Sequence, residues 1–152
     1  MIWVGEPLTV RVQGLLDERH DFAGSTCQLA QLQRPLWRGP ARVRLADGME
    51  CELLPLSRWR PRWLLWQGES ELGEGRPVWA ARRAELVYRA TRYFILPVTV
   101  WEPRYRLINE ADAEVLTIAF RGPLRREAEL VPQVALELTL VVFAYDLASR
   151  LL

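Results

Sequence analysis

The run from Val134 to Leu152 is the longest apolar stretch in the chain, and no glycine or proline interrupts it. Its few polar residues do not gather on one face, so the segment must be wrapped on every side by a protein core or a bilayer. Three conformations compete for it. As a strand, Val134, Leu136, Leu138, Leu140 and Val142 would alternate with Ala135, Glu137 and Thr139, but the pattern fails at Val141 and Phe143. As a helix, Glu137 and Asp146 fall half a turn apart at roughly 100° per residue, which leaves no solvated stripe. A membrane span would set both acids inside or beside the hydrocarbon, at high cost. Strands usually run about 5–6 residues, so the unbroken length favours a helix. Pro132 suits its start, and Asp146 with Arg150 forms a favourable i,i+4 pair. Two acids buried in such a helix need partners, which arginines from surrounding strands would supply.

Most of the remaining chain reads as short strands. Ala41, Val43 and Leu45 alternate with Arg42 and Arg44; after Ala46-Asp47-Gly48, Met49, Cys51 and Leu53 alternate with Glu50 and Glu52. A three-residue loop with Gly48 left-handed sets Val43 opposite Cys51, Arg44 opposite Glu50 and Arg42 opposite Glu52. A two-residue loop would oppose Arg44 to Cys51 and spoil both faces. A second hairpin opposes Leu107 to Leu116 and Tyr105 to Ile118 across Asn109–Ala113. Leu8, Val10 and Val12 make a strand, whereas Asp17–Asp21 reads as a polar loop before another strand near Cys27–Gln33. In Leu86–Trp101, Phe94, Leu96, Val98 and Val100 share one expected face, with Pro97 at an edge or bulge. Ala80–Arg89 is composed of good helix formers and could make a turn or two. Residues 67–77 are Gly-rich, acidic and without periodicity, and are expected to form an exposed loop.

At 152 residues this is one domain, expected to be mainly β: an antiparallel β-barrel or strongly curled sheet enclosing one apolar C-terminal helix. Tyr105-Arg-Leu-Ile-Asn-Glu-Ala-Asp-Ala-Glu-Val-Leu-Thr-Ile118 and the apolar segment from Val134 to its late Asp146 resemble the tubby C-terminal-like superfamily. That group includes the LURP-one-related proteins and the phospholipid scramblases. The resemblance covers the chain from about Leu86 onward. It implies a β-barrel around a central helix and a binding role in place of a catalytic one, exercised in some members at phosphoinositides or membranes.

Composition excludes several chemistries. All 20 basic residues are arginine, so no Schiff-base, P-loop or kinase-type lysine exists. One histidine, His20, cannot serve a site that needs two imidazoles. Cys27 and Cys51 have no metal or redox spacing and read as small core fillers. The first residues lack the pattern of a signal peptide, which leads us to expect a cytoplasmic protein. No cofactor, metal ligand set or catalytic residue is expected.

Two surfaces are candidates for binding. Arg82, Arg83, Arg89 and Arg92, with Arg104 and Arg106, could line a groove for the phosphates of an anionic lipid, or face a protein partner. Ser57–Trp66 interleaves Arg58, Arg60 and Arg62 with Trp59, Trp63 and Trp66, the pairing that single-stranded nucleic acid or an anionic-lipid surface would use. Read as a strand, it would put the arginines on one face and Trp59 and Trp63 on the other. A His20–Cys27 dyad is the one enzymatic alternative; it requires the two side chains to meet.

Overall fold

Alternating apolar residues become the inner face of a closed wall. The computed structural model describes residues 1–36, 39–56 and 59–152. The strands are β1 (Trp3–Val4), β2 (Leu8–Gln13), β3 (Glu18–Ala23), β4 (Gln28–Arg34), β5 (Ala41–Leu45) and β6 (Glu50–Pro55). They continue as β7 (Trp63–Gln67), β8 (Ser70–Val78), β9 (Arg83–Tyr88), β10 (Thr91–Pro97) and β11 (Arg104–Asn109). Then come β12 (Glu114–Arg121), β13 (Glu127–Pro132), β14 (Leu136–Glu137) and the helix α1 (Leu138–Ser149).

From β2 to β13 each strand lies antiparallel to the next, and β13 returns to β2 with Leu130 opposite Leu8. The result is a closed 12-strand barrel. Closure leaves none of these strands as an unpaired edge. The bore is filled by α1, whose residues 138 to 148 are all buried. At 12 residues, about 18 Å, the helix traverses the barrel and nothing more. Among the described residues, no helix is long and apolar enough to cross a membrane.

Both expected hairpins form in the expected register. Val43 pairs with Cys51, Arg44 with Glu50 and Arg42 with Glu52, while Gly48 sits at φ 88°. Leu107 pairs with Leu116 and Tyr105 with Ile118, ahead of a bulge at Leu107/Ile108.

Other expectations need correction. Residues 67–77 are no loop: β7 and β8 form a hairpin around Gly68-Glu69. Its alternation is masked because Leu72 is the extra residue of a bulge and the inward positions are Gly73 and Gly75. Those glycines admit the helix. A Cβ on Gly73 would lie 2.5 Å from the Val87 carbonyl oxygen and 3.3 Å from Phe143, and one on Gly75 would lie 2.4 Å from Leu147. Asp17–Asp21 is largely strand too, since β3 turns His20 and Phe22 inward.

Ala80–Arg89 contains a single 3₁₀ turn, Trp79–Ala81, followed by β9. Leu86–Trp101 is split by the turn Arg89-Ala90, where both residues have positive φ. In β10 the inward residue is Ile95, facing Ala84 and Leu107 across its neighbours; Phe94 and Leu96 are half-buried, and Val98 and Val100 lie beyond the sheet. The helix begins at Leu138, not after Pro132, because residues 133–137 turn the chain from the wall into the bore. Cys51 is buried as expected, but Cys27 is exposed in the turn after β3.

Because β8 must stay thin against α1, Gly73→Ala is expected to cost about 1–3 kcal/mol through overpacking. Gly5→Ala, whose Cβ meets nothing closer than 4.0 Å, should stay near neutral. Urea unfolding midpoints check both, and a Gly73→Ala midpoint equal to wild type contradicts the packing.

Candidate functional site

Antiparallel succession sends the connections alternately to the two mouths of the barrel. Those after β2, β4, β6, β8, β10 and β12 share the mouth where α1 ends, and the intervening ones share the mouth where it begins. Side chains mark each end. At the C-terminal mouth, Trp79 Nε1 donates to the Arg150 carbonyl at 3.1 Å and the Tyr105 hydroxyl donates to that of Leu151 at 3.1 Å. At the N-terminal mouth, the Leu138 amide donates to the Ile2 carbonyl, and β1 pairs with β14.

Each mouth also anchors one buried acid of the C-terminal segment, Glu137 just before α1 and Asp146 within it. Ala30, Leu32 and Arg34 form the inward row of β4, so the guanidinium at its end reaches Asp146. Arg34 Nε donates to Oδ1 at 2.8 Å, and Arg150 Nε donates to Oδ2 at 2.9 Å. Burial alone would raise this carboxyl; Arg150 and Arg34 outweigh it and hold the pKa at about 2. Glu137 receives Arg89 Nε on Oε2 and Nη2 on Oε1, both at 3.0 Å, a two-pronged pair. Burial again opposes ionisation, and the Arg89 bonds hold the carboxyl below its ordinary range.

His20 is only 2% exposed, and its Nδ1 lies 2.7 Å from the Tyr145 hydroxyl. Glu18 Oε1 stands 3.9 Å from Nε2, beyond hydrogen-bond reach. Burial, then the Arg34 charge, push the imidazole from 6.5 down to about 3, so it is neutral. Since His20 faces inward and Cys27 is exposed outside, they form no dyad. On the outer wall, Arg42, Glu50, Glu52 and Trp66 line a groove of about 460 Å³ that reaches Cys51. Burial pushes the Cys51 thiol up to about 11, leaving it protonated and a poor nucleophile.

The four arginines expected to share a groove do not meet. Arg82 and Arg89 flank opposite ends of β9, roughly 20 Å apart at strand rise. Arg82 donates to the carbonyls of Val100 and Glu102 and to the Tyr105 hydroxyl. Arg83 opens β9 at the C-terminal mouth, whereas Arg89 locks Glu137 and Arg92 pairs with Glu85 at 3.1 Å. Arg104 and Arg106 lie exposed on the outward row of β11.

The aromatic–arginine strand also fails to form as expected, because Pro61 delays β7 until Trp63. Arg58 lies outside the described residues. Trp59 and Arg60 occupy an exposed bend, and Arg62 pairs with Glu74 at 3.2 Å. Trp63 is buried, with the Arg150 guanidinium 4.6 Å from its ring centre and Trp79 edge-on at 6.4 Å.

What the topology does assemble is a polarised molecule. With three exceptions, Met1, Trp3 and Val134, every exposed large hydrophobic side chain among the described residues lies at the C-terminal mouth. Its described connections carry Arg60, Arg62, Arg82, Arg125 and Arg126 against Asp17 and Glu102. The turns at the other mouth carry Asp47, Glu69, Glu110 and Asp112 against Arg89. The sequence signal for this surface is apolar residues set inside turn-forming stretches, as in Gly14-Leu15-Leu16 and Gly122-Pro123-Leu124. Compared with known proteins, the chain matches no family model, no curated protein and no solved structure.

The buried imidazole makes stability depend on pH. Folded His20 stays neutral down to about 3, while in the unfolded chain it binds a proton below about 6.5. Its stabilising effect is therefore full above that range and is lost as pH falls through it, by about 2 kcal/mol between roughly pH 7 and pH 5. His20→Gln should flatten this slope in urea titrations. Asp146 contributes stability that is present above its ordinary value of 3.8 and is lost as pH falls towards 2, so its effect appears only at lower pH.

Proposed function

We propose that this chain is a non-enzymatic, cytoplasmic binding domain of the kind its resemblance to tubby-like proteins implies, recognising an anionic partner, anionic lipid first, through its C-terminal mouth. One observation carries the reading: the arginine excess at that mouth opposes an acidic excess at the other. The filled bore directs ligand recognition to the outside of the barrel, and a field of this polarity orients the molecule towards negative charge. Each arginine near an anionic membrane surface is worth about 1 kcal/mol.

Sedimentation with phosphatidylcholine vesicles, with and without phosphatidylserine, tests it. Binding is expected only to the anionic vesicles and should weaken with salt. Arg83→Glu with Arg125→Glu should lower affinity at least about tenfold, whereas Arg92→Glu, near the other mouth, should change little. Equal binding to neutral vesicles, or none to either, contradicts the proposal.

A second reading, a nucleic-acid module, is favoured by Trp59, which is 94% exposed beside Arg60. It predicts salt-dependent binding of a single-stranded oligonucleotide that Trp59→Ala abolishes.

A further inference from the structure

Six loop-tip side chains at the C-terminal mouth are largely exposed: Leu15, Leu16, Trp59, Val100, Trp101 and Leu124. They come from four separate connections around one rim, so topology alone brings them together. Two arginines brace three of these four connections. Arg82 holds the β10–β11 connection through the Val100 carbonyl at 2.6 Å. Arg126 ties the β12–β13 connection to the β2–β3 connection through the Gly14 carbonyl at 2.6 Å. Tips fixed in advance lose little freedom when they engage a partner.

The β12–β13 tip shows a further anomaly. Leu124 and Arg125 both hold positive φ, at 59° and 54°, where glycine or asparagine would sit more easily. Leu124 is nevertheless 87% exposed, so the strained backbone brings its side chain almost no cover within the chain. Strain without an internal return points to a contact outside the molecule.

Chemistry narrows what that contact is. Two copies meeting rim to rim would oppose arginine to arginine. A nucleic acid would stack on Trp59 and Trp101 but offers no apolar phase to Leu15, Leu16, Val100 and Leu124. A bilayer accepts all of them: tryptophan settles at headgroup depth, aliphatic tips enter the acyl boundary, and arginines meet anionic headgroups. We infer that the C-terminal mouth is a membrane-insertion rim, which seats these apolar tips in an anionic bilayer with the barrel axis near the membrane normal. The inference rests on the anionic-lipid reading and adds to it the depth, the orientation and the inserted residues.

Tryptophan quenching by phosphatidylcholine brominated along its acyl chains, mixed with phosphatidylserine, measures the insertion. Wild type should be quenched, and Trp59→Ala with Trp101→Ala should lose most of that quenching. Trp101→Ala with Leu124→Asn should bind the vesicles at least about tenfold more weakly, with thermal unfolding no lower than wild type, because both side chains are exposed and asparagine accepts the positive φ. Trp3→Ala, at the opposite mouth, should match wild type. Vesicle binding that is salt-dependent, unquenched and indifferent to the tip variants overturns insertion and leaves the anionic-lipid reading standing. A loss in Trp3→Ala equal to that of the rim variant overturns the orientation. Failure of wild type to bind anionic vesicles overturns both.

Discussion

The structure depends on a helix with no face for water. Eleven consecutive buried residues, 138 to 148, cannot rest on an open sheet, because a sheet covers one side only. A closed antiparallel barrel covers every side. Closing 12 strands around a filled bore then sets demands on the wall, which must thin wherever the helix comes closest. Gly73 and Gly75 meet that demand opposite Phe143 and Leu147. Tyr145 meets Phe22 edge-on at 5.0 Å, and tilted Phe120 at 5.6 Å.

Apolar packing alone would let such a helix slide or rotate within its sleeve. The two buried acids oppose this. Asp146 is held from β4 and from the helix end, and Glu137 from the β9–β10 turn, so an ion-paired carboxylate marks each mouth. Buried pairs of this kind are weak evidence for net stability, yet breaking one by removing a partner costs about 3–5 kcal/mol. Their value here is positional: any other register would part Asp146 from Arg34 and leave Glu137 without Arg89. That assignment also explains Arg89, which by sequence looks like a ligand for phosphate and in the fold serves the helix.

The two hairpins were legible because alternation, turn chemistry and cross-strand charge agreed on one register. The enclosed helix was legible because the segment that forms it lacks a polar stripe and carries two acids, Glu137 just ahead of the helix and Asp146 inside it. Local cues misled where inward positions were not apolar: β3 turns in a histidine, and β8 turns in two glycines beside a bulge. In β10 the outward Phe94 and Leu96 imitate a core face. These errors bear directly on the candidate surface. Which mouth a loop occupies depends on strand parity, and reading 67–77 as loop removes a strand. Miscounted parity scatters Leu15, Trp59, Trp101 and Leu124 between two ends, where they look like isolated exposed residues. Correct parity gathers them on one rim and separates Arg82 from Arg89.

With its bore filled by α1, the barrel leaves only its outer surface open to a partner, and our proposal is that the polarity of its ends selects the surface. Hydrogen exchange of the intact protein with and without phosphatidylserine-containing vesicles tests both halves of that claim together. The account predicts that amides in residues 14–17, 98–103 and 122–126 slow on vesicle binding. Those of 138–148 should remain fully protected throughout, exchanging only through global unfolding. Faster exchange in the helix when vesicles are present, or slowing confined to the outer wall or the acidic mouth, would contradict it.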